Sequence, residues 1–165
     1  MTKPIISIVG KAGSGKTTLF EKLIPEIKRR GYRVGTIKHH SHPGFEIDQP
    51  GKDTWRHAQA GSDHVVIAAP DKIASIQKLK QPLSLDEIAL SIQNVDIIIT
   101  EGYKRVGKPA IEVVRAKNGV ELICQPEQLI AVVTDTKLDI LTPQFDFDDS
   151  SGIVDLIERK FLILA

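Results

Sequence analysis

At 165 residues, 41% of them hydrophobic, the chain is long enough to bury one continuous core and falls within the usual size of one domain. Its 22 Lys and Arg nearly balance its 21 Asp and Glu, so the formal charge of +1 supplies no long-range attraction for nucleic acid or an anionic membrane. The one cysteine, Cys124, excludes an intramolecular disulfide; a free buried thiol in a reducing, cytoplasmic setting is expected.

Ile5, Ile6, Ile8 and Val9 make a β-branched run ending at Gly10, the pattern of a buried parallel strand. This run, and the apolar run over residues 95–99, are too short for a signal-peptide core or a membrane span, so neither export nor insertion is expected. Gly10-Lys11-Ala12-Gly13-Ser14-Gly15-Lys16-Thr17 follows at once, with Walker A spacing between a strand and a helix. A polyphosphate needs backbone N–H groups turned inward, which the glycines permit without a Cβ clash. Gly10, Gly13, Ser14, Gly15 and Thr18 are therefore assigned to the cradle, Lys16 to the β and γ phosphates, and Thr17 to Mg²⁺.

Leu19, Phe20, Leu23, Ile24 and Ile27 recur at helical spacing and predict a helix over 17–30, with Pro25 as a point of kinking and Gly31 as its stop. A strand over 32–38 leads into a polar loop over 39–51 that holds His39, His40 and His42. A short helix over 52–60 closed by Gly61, a strand over 64–69, a turn at Pro70-Asp71 and a hairpin partner carrying Ile73, Ile76 and Leu79 come next. Ser84 and Glu87 are spaced as a capping box for a helix running to about Ser91. The strand over 96–100 is apolar enough for burial on both faces and ends at Glu101-Gly102. Strands over 110–115 and 120–123 are expected around an Asn118-Gly119 turn, then a strand over 129–134 and a closing helix over 151–164. The alternation predicts a single α/β domain of P-loop NTPase type, a mostly parallel sheet with helices on both faces and antiparallel hairpin excursions.

A magnesium shell at a phosphate loop needs a carboxylate from a neighbouring strand end, and Glu101 stands at one. Asp48 and Asp53, from the loop and short helix after the second strand, are further candidates for metal or catalytic water. Gly51-Lys52-Asp53-Thr54 looks like the end of a second Walker loop, but Glu46 occupies its first glycine position. Thr136-Lys137-Leu138-Asp139 follows a strand and has the spacing of a guanine-reading element. The carboxylate of Asp139 can accept both donors of the guanine edge, and adenine has no matching pair. GTP is therefore favoured over ATP. The histidine loop is compatible with a transition metal, although no Cys-x-x-Cys accompanies it, and Arg56 could face transferred charge.

With the Walker loop, Thr36-Ile37-Lys38-His39-His40, Asp48, Gly51-Lys52-Asp53-Thr54, Arg56, Ala60-Gly61 and Glu101-Gly102-Tyr103-Lys104 in order, the chain resembles the molybdopterin-guanine dinucleotide biosynthesis protein B (MobB) family over nearly its whole length. That resemblance implies a homodimeric GTP-binding protein with weak Mg²⁺-dependent GTPase activity. It would act as an accessory to MobA, the guanylyltransferase that attaches GMP to molybdopterin, without being the transferase. It also implies that Asp48, Lys52, Asp53 and Arg56 line the site or the dimer cleft. Glu101-Gly102 replaces the Asp-x-x-Gly of signalling GTPases, so slow hydrolysis is expected. Two alternatives stand beside this reading, a metal-insertion GTPase resting on the histidine loop and a small-molecule kinase. Against the kinase, the arginines are scattered along the chain and do not cluster in a lid.

Overall fold

The computed structural model describes residues 3–163 and divides into two compact units, residues 1–39 with 85–165 and residues 40–84. In the first, six strands form one sheet in the order β2-β5-β1-β6-β7-β8, and every neighbouring pair is parallel. The strands are β1 (Ile5–Gly10), β2 (Val34–Lys38), β5 (Ile97–Glu101), β6 (Ala110–Val114), β7 (Leu129–Thr134) and β8 (Gln144–Phe145). The helices of this unit are α1 (Lys16–Arg29), α3 (Leu85–Ser91) and α4 (Ser150–Ile157), the last continuing as a wider π turn over Glu158–Leu162.

Side chains alternate along each strand, and the alternation sorts the core into two layers. Ile6, Ile8, Ile97, Ile99, Ile111, Val113, Ala131 and Val133 face α1 and α4, whose Leu19, Leu23, Ile27, Ile153, Val154 and Ile157 complete the larger cluster. On the other face, Ile37 and Ile98 pack against Leu85 and Ala89 of α3. Farther along that face the cover is irregular chain: Cys124 lies over Val9 and Ala110, and Leu138 over Val114 and Val132. Cys124 is a free, buried thiol whose pKa burial raises.

Residues 120–123, expected as a strand, form none. Both edges of β6 are already taken by β1 and β7, which leaves no ladder for a hairpin partner. The segment is instead held by the buried carboxylate of Glu112, which accepts the N–H groups of Ile123 at 2.8 Å and Cys124 at 3.0 Å. The Asn118-Gly119 turn survives as the end of a 3₁₀ turn over Ala116–Asn118. Helix α1 keeps Pro25 in its interior and ends before Gly31, whose φ of 91° needs a residue without Cβ. The closing helix begins one residue early because Asp149 caps it, accepting from Gly152 N at 2.8 Å. Its expected end at Leu164 lies outside the described residues.

The second unit holds α2 (Asp53–Gln59) and an antiparallel pair, β3 (His64–Ala69) with β4 (Lys72–Gln77). The loop over 40–51 carries no regular structure, and Gly61 closes α2 at a φ of 110°.

Candidate phosphate and base site

Strand β1 ends at Gly10, where an added Cβ would lie 2.5 Å from the carbonyl oxygen of Val113 and 2.7 Å from Ser14 Oγ. Only glycine lets the loop leave the sheet against β6. Gly15, at a φ of 97°, then turns the chain into α1. That helix start has no capping side chain and no acidic residue in its first turn. Its leading N–H groups thus keep their capacity for an acceptor, at the positive end of the helix dipole. Ser14 Oγ is buried without a hydrogen-bond partner, and the space beside Gly13 is open. An orphaned hydroxyl, an open glycine and an uncapped helix start together fit a polyphosphate.

Lys16 donates to the carbonyl oxygens of Gly10 at 3.0 Å and Lys11 at 2.8 Å, so its ammonium lies across the loop. Burial lowers its pKa; the Glu101 charge opposes this, while Lys38 and Lys104 add to it. Glu101 ends β5 between Ile8 of β1 and Lys38 of β2, and it accepts from Lys38 Nζ at 2.8 Å. Thr17 and Thr18 are exposed on the first turn of α1. The Thr17 hydroxyl and the Glu101 carboxylate are the hard oxygen donors that Mg²⁺ takes. One step into the sheet, the buried Thr100 donates to Ser7 at 2.9 Å, a polar rung across β1 and β5.

After β7, residues 134–137 with Gln144, Phe145 and Asp146 line a cleft of about 300 Å³. Leu138 is buried and anchors this loop, and the Gln144 side chain clamps it, accepting from Leu138 N at 2.8 Å and donating to Leu138 O at 2.9 Å. Lys137 lines the cleft, and Asp139 is exposed two residues on. Asp146 adds a carboxylate to the wall that the sequence reading did not anticipate.

Arg115 was also missed. Its guanidinium lies 3.4 Å over the Phe147 ring, with Nε donating to Ser14 O and Nη1 to Asp135, each at 3.3 Å. Its place directly after β6 was the one available signal, since a residue ending a strand beside β1 falls at the edge where the phosphate loop begins.

Asp48 and Asp53 belong to the second unit. Asp48 accepts from Gln49 N through Oδ1, and its Oδ2 is buried without a partner beside an apolar hollow that includes Val65 and Ile76. Asp53 opens α2, and Lys52, Trp55 and Arg56 flank it. Among the described residues no group of three or more His, Cys, Asp or Glu is arranged to hold a metal ion. His39 packs on Tyr103 at 4.6 Å, and His40 meets His42 and Phe45 edge-on near 6 Å.

The family model described as "Molybdopterin guanine dinucleotide synthesis protein B" matches residues 5–135. The chain is 38% identical to a molybdopterin-guanine dinucleotide biosynthesis adapter protein of Haemophilus influenzae, over 94% of this chain and 88% of that one. It is 31% identical to the adapter protein of the same description from Escherichia coli, over 93% and 91%. The crystal structure of a molybdopterin-guanine biosynthesis protein B superposes with a TM-score of 0.73 at 32% identity, covering 94% of this chain and 98% of the other.

Proposed function

The chain belongs to the molybdopterin guanine dinucleotide synthesis protein B family, and from that membership and its phosphate loop we propose that it is a GTP- and Mg²⁺-binding adapter in molybdopterin-guanine dinucleotide biosynthesis. The observation that carries the nucleotide part is the buried, unpartnered Ser14 Oγ beneath an uncapped helix start. In this reading Gly10, Gly13, Ser14, Gly15 and Thr18 cradle the phosphates, and Lys16 neutralises the β and γ oxygens. Thr17 and Glu101 would hold Mg²⁺, which when bound would supply neutralising charge for the phosphates. Lys137 and Asp139 read guanine from the clamped loop after β7.

Hydrolysis is slow in this proposal, because Glu101-Gly102 stands where signalling GTPases carry Asp-x-x-Gly. Asp48 and Asp53 are kept as proposed candidates for metal or catalytic water. The adapter role calls for a partner, proposed as the guanylyltransferase MobA, and for a second copy of the chain. Supporting a homodimer, Val66 and Ile73 stand half or more exposed on one face of the β3–β4 pair, a two-stranded sheet that gains stability from cover. Among the described residues no helix is long and apolar enough to cross a membrane. The proposed location is the cytoplasm, a reducing setting in which the free thiol of Cys124 persists.

Calorimetric titration with GTP and ATP, each with and without Mg²⁺, tests the core of this reading. Tightest binding by GTP with Mg²⁺ is expected. Absence of binding by any triphosphate would refute it.

A further inference from the structure

Arg115 touches both the phosphate loop and the base-side loop. Through Nε it donates to the Ser14 carbonyl, inside the Walker sequence, and through Nη1 to Asp135, the residue that opens the loop lining the cleft after β7. Asp135 returns the grip: its other oxygen accepts Ala116 N at 2.8 Å, so the carboxylate holds residues 115 and 116 together. The guanidinium is braced from its flat side by the buried ring of Phe147, and a Cβ at Gly15 would come within 3.3 Å of that ring and 3.6 Å of Arg115 Nη2. Glycine at 15 therefore serves this packing as well as the turn into α1.

A lysine cannot repeat the arrangement. It has one compact charge, whereas the guanidinium donates in two directions within one plane and stacks through its face. The two loops otherwise belong to different strands, β1 and β7, with β6 between them. A shift of Asp135 would reach the Ser14 carbonyl through that rigid plane, and the hydroxyl of the same serine is buried without a partner.

We propose that Arg115 is the positioning residue that couples the base cleft to the phosphate loop, so that the choice of nucleobase sets how well the phosphate cradle is held. This rests on the nucleotide reading above and deepens it, adding a residue of specificity that the guanine element does not contain.

The test measures dissociation constants for GTP and ATP with Mg²⁺, and for inorganic tripolyphosphate, on the full chain and on Arg115→Ala, Arg115→Lys and Asp135→Asn, each checked by thermal unfolding. Loss of one charge-assisted link is expected to cut the preference for GTP over ATP by about tenfold in all three variants. Tripolyphosphate, which has no base to report, is expected to change by less than about threefold, and Asp135→Asn added to Arg115→Ala is expected to bring no further loss. If Arg115→Ala does not fold, Asp135→Asn carries the same test, since its amide oxygen still accepts from Ala116 N. An unchanged preference in the variants overturns the proposal, as does a fall in tripolyphosphate binding equal to that for GTP, which would mark a structural brace only. Unmodified protein that binds GTP and ATP equally overturns this inference together with the guanine role of Lys137 and Asp139 but leaves the phosphate site standing, whereas unmodified protein that binds no triphosphate overturns the nucleotide reading as a whole.

Discussion

Lys16 and Glu101 show how single side chains set the chemistry of the loop. The ammonium of Lys16 rests on two carbonyl oxygens of its own loop, and burial has already weakened its hold on its proton. A dense anion offers it stronger partners than neutral carbonyls do. Lys16→Ala is expected to weaken GTP binding by about 10- to 100-fold with an unchanged circular dichroism spectrum; unchanged affinity by calorimetry would remove that lysine from the site. Glu101 is paired with Lys38, a largely exposed side chain that can swing away from it. Glu101→Gln is accordingly expected to abolish most of the Mg²⁺ dependence of GTP binding while leaving Mg²⁺-free binding within about threefold. Parallel titrations at varied Mg²⁺ check this.

Elements are joined by side chains far apart in sequence. Arg30, at the end of α1, donates to Glu26 on its own helix and to Asp155 and Glu158 across on the last helix, at 2.5–2.8 Å. Hydrogen bonds from Arg29 and then Arg30 hold the Glu26 carboxyl down at about 2, against an ordinary 4.5. A carboxyl lowered on folding contributes stability that is present above its unfolded value and lost as pH falls through its folded one. Unfolding free energy is therefore expected to fall between about pH 4.5 and 2, and Glu26→Gln to flatten that slope in urea titrations at stepped pH. Glu112 does for irregular chain what a ladder does for a strand. Glu112→Ala strands two backbone donors, that of Cys124 buried and that of Ile123 partly so, and a loss of about 1–3 kcal/mol in denaturant unfolding is expected.

At the scale of the whole molecule, the β3–β4 hairpin presents exposed apolar side chains that burial would stabilise. Directly opposed residues of its hairpin share a face, so Val66 and Ala68 lie beside Ser75 and Ile73 on one side, with Val66 half exposed and Ile73 at 71%. Val66→Glu combined with Ile73→Glu is expected to convert a dimer to a monomer in sedimentation velocity, because each charge would need an unpaired burial at the shared face. A dimer that persists would place the second copy elsewhere.

The glycine-rich turn between β1 and α1, the buried strands β1, β5 and β7, the amphipathic α1 and the β3–β4 hairpin were all legible in the chain, since each is encoded within a few residues by glycine placement, period or branching. The order of the strands was not, and it decided the rest. Because β6 lies between β1 and β7, residues 120–123 found no edge and Glu112 became their anchor. The same order brought Arg115 to Ser14 and Asp135, partners 101 and 20 residues away. Gln144, on a strand of only two residues, became the clamp of the loop after β7. Local pattern fixes what a segment can be, but contacts between distant segments are settled only when the whole sheet assembles and leaves each side chain the neighbours that remain.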